Sequence, residues 1–263
     1  MKKFSVVFLM ITTFMMIVFN GYEFIVRDKE APVISCPDNE IRASVTVTEE
    51  ELLKGVTAED NRSDDVTKSM VIEKMSALDD DNARVITYAA IDDAGNVGRK
   101  ERTLIYTDYT APKFEFAEPL RFSLGNIPDN PIKYISAVSS VEGDISEKIK
   151  FQLTADQYLN VAGVYDVEIR VTDNAGVTSV IPTQIDLYDA KEEAIKVELN
   201  QYIVYINVGD TFDTESYYKS ASIDGALSID SNVDTESAGT YHVDYTVQAN
   251  EEIGKSRLIV VVE

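Results

Sequence analysis

Between Tyr165 and Thr172 apolar and polar positions alternate one by one: Tyr165, Val167, Ile169 and Val171 against Asp166, Glu168, Arg170 and Thr172. A period of two is that of a β-strand with one face in a core and the other in water. The same pattern stands at Tyr241, Val243, Tyr245 and Val247, split by His242, Asp244 and Thr246. In an earlier run the inward positions fall on Ile86, Tyr88 and Ala90. Two of the runs reach near-identical turns, Asp93, Ala94, Gly95 and Asn96 and then Asn174, Ala175, Gly176 and Val177. Gly95 and Gly176 are expected to supply a left-handed backbone, with Asp or Asn bonding the chain nearby. The third run ends in a worn version of the turn at Asn250. Return strands come next at Arg102–Thr107, Thr183–Tyr188 and Leu258–Val262; the last is apolar on both faces, as expected of a terminal strand in a sandwich. Turn and return strand keep an 81-residue offset between the first two copies, so one structural unit is being repeated.

Each of the first two copies opens on a short apolar strand after a proline, Ala31-Pro32-Val33 and Ala111-Pro112-Lys113. Proline there costs no ladder bond and stiffens the joint. The third opens at Ala194–Val197 after a polar linker, 189–193. Glu49–Lys54 predicts one helical turn inserted in the first copy. Several short strands per copy with turn signals between them predict an all-β chain of three tandem antiparallel β-sandwiches. The domains fall at 30–108, 111–189 and 194–263. If each is about 35–40 Å long, three in series reach on the order of 100 Å.

Ahead of them, Lys2 and Lys3 precede an apolar run from Phe4 to Phe19 that extends towards Val26. Positive charge before an apolar segment keeps its amino end inside and sends the rest of the chain outward across a membrane. Residues 1–26 are therefore read as a signal anchor or signal peptide. Phe19, Asn20 and Gly21 make a poor cleavage site, since a large residue stands where a small one is wanted, and this favours the uncleaved anchor. Contact with the membrane runs through 4–26, with the C-terminal domains outside; a cleaved signal would make the chain secreted.

Composition narrows the partners. With 46 acidic against 24 basic residues the formal charge is −22, a field that repels phosphate backbones and excludes nucleic acid. One cysteine, Cys36, rules out an intramolecular disulfide framework and reads as a small core residue. Charged residues between it and the apolar run exclude a lipid-modified cysteine.

The opening Ala-Pro, then Asp64–Thr67 or Gly143–Ser146, then Gly163–Tyr165, then Asp173–Gly176 together resemble the immunoglobulin-like repeats of bacterial surface proteins. The resemblance covers nearly all of 30–263 and is weakest in the third copy. It implies an immunoglobulin-like fold and an extracellular location. Such modules serve as spacers, adhesins, and binders of carbohydrate or protein.

Candidate chemistry is sparse. His242 lies on the outward face of its strand with Asp244 beside it and no nucleophile in pattern, so it reads as a surface residue; no catalytic activity is expected. No cofactor is required, but calcium is the sharper candidate, since hard cations take carboxylate and carbonyl oxygen. Asp60, Asp64 and Asp65 share one loop of the first copy, Asp92, Asp93 and Asn96 a later turn, and Asp28, Glu30 and Asp108 mark the joints. Asp60, Asp64, Asp65, Asp93 and Asp108 are taken as the candidate ligands. The competing reading is that these are ordinary turn residues. Tyr217 and Tyr218 are the candidate ligand-binding aromatics of the third copy, able to stack on a sugar. The function expected is a membrane-anchored structural spacer or adhesive rod whose partner is a surface or cell-wall protein or a glycan. The alternatives are a glycan- or wall-binding module and a scaffold for a surface enzyme or secretion complex.

Overall fold

In the computed structural model, which describes residues 8–18, 28–124, 131–154, 160–189 and 195–263, the alternating runs become the long central strands of three successive pairs of sheets. The first copy comprises β1 (Val33–Ser35), β2 (Glu40–Ala43), β3 (Thr57–Asp60), β4 (Asp64–Asp65), β5 (Val71–Met75), β6 (Ala83–Ile91) and β7 (Val97–Tyr106). They are ordered β1-β3-β4 and β2-β7-β6-β5. The second comprises β8 (Lys113–Phe116), β9 (Arg121–Ser123), β10 (Ile135–Ser139), β11 (Gly143–Asp144), β12 (Lys150–Leu153), β13 (Gly163–Thr172) and β14 (Thr178–Tyr188). Its sheets are β11-β10-β8 and β12-β13-β14-β9. The third comprises β15 (Val197–Leu199), β16 (Ile203–Ile206), β17 (Tyr218–Ala221), β18 (Ala226–Ser231), β19 (Gly239–Ala249) and β20 (Glu252–Val262). These form β15-β17 and β16-β20-β19-β18.

The sheets are not wholly antiparallel as expected: β2 runs parallel to β7, β9 to β14, and β16 to β20. In each copy the opening segment changes sheets. β1 pairs antiparallel with β3, the chain crosses at Pro37, and β2 docks beside the last strand of the other sheet. Pro119 stands at the same crossing in the second copy. A residue without an N–H cannot donate to a ladder, which suits it to the break between the two pairings.

Inward positions of the long strands are buried as the alternation requires. Ile86, Tyr88 and Leu104 are 0% exposed in the first copy, as are Ile169 and Ile185 in the second and Tyr245 and Leu258 in the third. A buried phenol needs a partner. Tyr88 donates to the carbonyl of Leu52 at 2.9 Å, and Tyr245 to that of Thr214 at 2.6 Å. Leu52 belongs to the expected helical turn, Glu49–Leu53. Thr48 caps it in a reciprocal box with Glu51. Gly95 and Gly176 take φ of +87° and +83°, the left-handed conformation the turns demand.

The chain divides into two compact units, one ending at Asp108 and one spanning Tyr109–Glu263. Within the second unit the sandwiches are not separate links in series. On β20, Leu258, Val260 and Val262 fill the third core, while Ile259 and Val261 point the other way and join the second copy's cluster. Ile203 and Tyr205 do the same, and Tyr202 packs against both clusters. Tyr205 accepts a hydrogen bond from the Phe114 N–H at 2.8 Å, and burial pushes its phenol up to about 12. Arg257 grips Asp244 with two nitrogens, at 2.6 and 2.9 Å, and reaches Gln184 of β14 at 2.5 Å. The run apolar on both faces is thus explained by a second covered face.

Residues 8–18 are helical. The rest of the expected 4–26 segment lies outside the described residues. Among the described residues no helix is long and apolar enough to cross a membrane.

Candidate functional site

Among the described residues, one acidic group draws its members from three distant places in the first unit: Asp28, Asp60 and Asp92. Asp28 lies in the segment leading into β1, Asp60 ends β3, and Asp92 follows β6 into the turn with Gly95. β3 and β6 belong to opposite sheets, so only the sandwich brings these ends together. Each residue offers a carboxylate oxygen within 4.8 Å of the other two.

Local hydrogen bonds fix the three carboxylates but do not saturate them. Asp28 Oδ1 accepts from the Glu30 N–H at 3.0 Å. Asp60 Oδ2 accepts from the N–H groups of Arg62 and Ser63, both at 2.9 Å. Asp92 accepts from the Asn96 backbone at 2.7 Å on Oδ1 and from its side-chain amide at 2.7 Å on Oδ2. Burial pushes the Asp92 carboxyl up, but the Asn96 amide and the surrounding N–H groups outweigh it and hold it below the usual carboxylate range. Asp28 Oδ2 and Asp60 Oδ1 are buried with no hydrogen-bond donor. The half-exposed Arg62 brings Nε to 3.7 Å from Asp28 Oδ2, too long for a hydrogen bond. All-oxygen donors at this spacing suit a hard cation.

Of the five acids taken from sequence as candidate ligands, only Asp60 joins this group. Asp64 is exposed and takes φ of +56°, the place that Gly143 fills in the second copy at +76°. Asp65 accepts from the Thr67 N–H at 2.9 Å, as Asp144 does from Ser146. Asp108 holds the Ser44 hydroxyl at 2.6 Å and the Val45 N–H at 2.8 Å, which lower its carboxyl pKa. Asp93 is exposed. These are turn and loop roles. Sequence marked Asp28 as a joint acid and Asp92 as a turn acid, with nothing to show that they meet.

The second copy closes the equivalent place differently. Asp173 occupies the position of Asp92, and its Oδ1 accepts from the N–H groups of Ala175 and Val177 at 2.9 and 3.1 Å. Its Oδ2 accepts the Tyr109 hydroxyl at 2.9 Å and the Ser139 hydroxyl at 3.3 Å. Tyr109 stands 81 residues after Asp28, and Ser139 ends β10 as Asp60 ends β3. Burial, and then the bond to Asp173, push the Tyr109 phenol far up.

In the third copy Tyr217 and Tyr218 are half-buried and pack on its core, Tyr217 stacked on Phe212 at 5.4 Å. Tyr217 also borders an open groove of about 810 Å³ that runs past Tyr202, Tyr205, Lys196 and Glu118. His242 contacts Asn232 at 3.2 Å and stands 3.7 Å from Asp244. Burial and then Arg257 lower its pKa.

No family model matches the chain. A curated relative, an uncharacterised 81.3 kDa protein of Acholeplasma phage L2, is 26% identical over 167 residues. That match covers 62% of this chain and 22% of the relative, so the chain spans less than a quarter of that protein's length. Among solved structures, a human CDH23 fragment (EC21-23) is 12% identical with a TM-score of 0.24, covering 88% of this chain and all of that one. A protocadherin gammaB7 fragment is 11% identical with a TM-score of 0.23, covering 89% and 74%. A lipoprotein of Bacteroides thetaiotaomicron is 11% identical at 0.24, covering 56% and 98%. Overlaps at these scores say nothing about what this chain binds.

Proposed function

We propose that the protein is a non-catalytic extracellular interaction protein, held at a membrane through residues 4–26, that presents three immunoglobulin-like sandwiches to a surface protein or glycan. The observation that carries this reading is the fused second unit. Two sandwiches locked by a common apolar cluster and by the Arg257 bridge to Asp244 and Gln184 make a stiff platform. Stiffness is what a spacer or adhesive module needs, because a preorganised surface loses little entropy on binding. The sequence supports the outward orientation through Lys2 and Lys3 ahead of the apolar run.

Digestion of intact cells expressing the full chain tests it. An added protease should remove epitopes placed within 28–263 while a cytoplasmic control survives. Protection of those epitopes until the cells are lysed would end the extracellular reading. A glycan ligand is favoured by one feature, the groove bordered by Tyr202, Tyr205 and Tyr217. Oligosaccharide binding that Tyr217→Ala abolishes would select it over a protein partner.

A further inference from the structure

We infer that Asp28, Asp60 and Asp92 form a binding site for one hard divalent cation of the calcium class, and that Tyr109 and Ser139 replace that cation in the second copy. Three features of the first unit converge on this. Three carboxylate oxygens from separate parts of the chain lie within 4.8 Å of one another. Asp28, only 9% exposed, keeps Oδ2 buried without a hydrogen-bond donor, the Arg62 guanidinium standing 3.7 Å off as an ion pair, and Asp60 buries Oδ1 without a donor. Carboxylates this close repel one another, and a buried anionic oxygen without a donor is costly. A cation resolves both at once. The donors are all oxygen, with no histidine or thiol among them, which suits a hard ion of flexible coordination; carbonyls and water would complete its six to eight ligands.

The second copy shows what the position requires when no cation is used. There a single carboxylate, Asp173, remains, and two hydroxyls, from the entering segment and from the end of β10, point protons at it. In both copies the entering segment, the strand end and the turn are tied at one place. The first uses three acids and an ion, the second one acid and two O–H donors. Bound cation would therefore fasten the segment at Asp28 to the first sandwich, and its loss would release that joint. The assignment rests on the geometry of the first unit and holds whatever the platform binds.

The test titrates calcium chloride, then magnesium chloride, into the chelator-treated full chain in detergent, read by calorimetry and by thermal unfolding. One saturable calcium site is expected, with a rise of about 5 °C or more in a transition and weaker binding of magnesium. Asp28→Asn with Asp60→Asn should abolish both heat and shift, whereas Asp64→Asn with Asp93→Asn should leave them intact. Asp28→Tyr with Asp60→Ser, which copies the second unit's arrangement, should fold, lose the calcium heat, and melt at one temperature with or without calcium. Absence of calcium heat and shift in the unaltered chain overturns the inference. So does binding that survives Asp28→Asn with Asp60→Asn, which would place the ion elsewhere on the acidic surface.

Discussion

At the scale of single residues, the second copy offers the clearest energetic test. Tyr109 donates to Asp173 Oδ2, and a hydrogen bond to a charged acceptor contributes roughly 1.5–3 kcal/mol when well buried. Tyr109 is half-buried, so Tyr109→Phe should cost about 1–2 kcal/mol in urea unfolding, and no change would mean that Ser139 alone satisfies the carboxylate. Several loop acids carry depressed pKa values. Asp108 is lowered by the Ser44 hydroxyl and the Val45 N–H, and Asp65 by Thr67. A carboxyl whose folded pKa is depressed contributes stability above its unfolded value, near 3.9 for Asp. That contribution is lost as pH falls through the folded value. The chelated chain should therefore hold a constant melting temperature from neutral pH to about 5 and lose it steeply below about 4. Asp108→Asn should flatten the steep part.

At the scale of elements, period-two alternation was enough to place the long strands, because each has one buried and one wet face. It could not place β2, β9 and β16, which are three or four residues long and choose their sheet by tertiary pairing. The acid group failed to show for a related reason: Asp60 ends a strand of one sheet and Asp92 follows a strand of the other, and no spacing along the chain encodes their approach. Nor does sequence reveal that two of the oxygens lack donors. The opening strand can be tested directly. A Cβ on Gly98 of β7 would stand 1.9 Å from the carbonyl oxygen of Pro32, and one on Gly254 of β20 2.2 Å from that of Ile195. Backbone cannot yield as a side chain does. Gly98→Ala should cost about 2–3 kcal/mol and speed hydrogen exchange in β1. Ser179, at the same place in β14, instead donates to the Pro112 carbonyl at 2.6 Å, so Ser179→Ala should be milder. The helical turn Glu49–Leu53 depends on its cap: Thr48→Ala should cost about 1 kcal/mol, read as a lowered urea midpoint with an unchanged slope.

At the scale of the molecule, the consequence of β20 is co-operativity. Its inner face completes the third core and its outer face the cluster around Phe114 and Phe116, so neither core of the unit Tyr109–Glu263 can be lost without exposing part of the other. Side chains that share a packed cluster are energetically coupled, whereas separate modules would melt independently. Leu187 lies in the second core and Leu258 in the third, 1% and 0% exposed, so Leu187→Ala and Leu258→Ala should each cost about 2–5 kcal/mol. In calorimetry of the full chain both should depress the same transition. If each moved a different transition, the shared cluster would be contact without coupling. Ile259→Asp supplies the contrary case, because it plants an unpaired charge where β20 meets the second core while leaving the third core's own residues, Leu258 and Val260, unchanged. That variant should split the common transition in two, the third sandwich melting apart from the second.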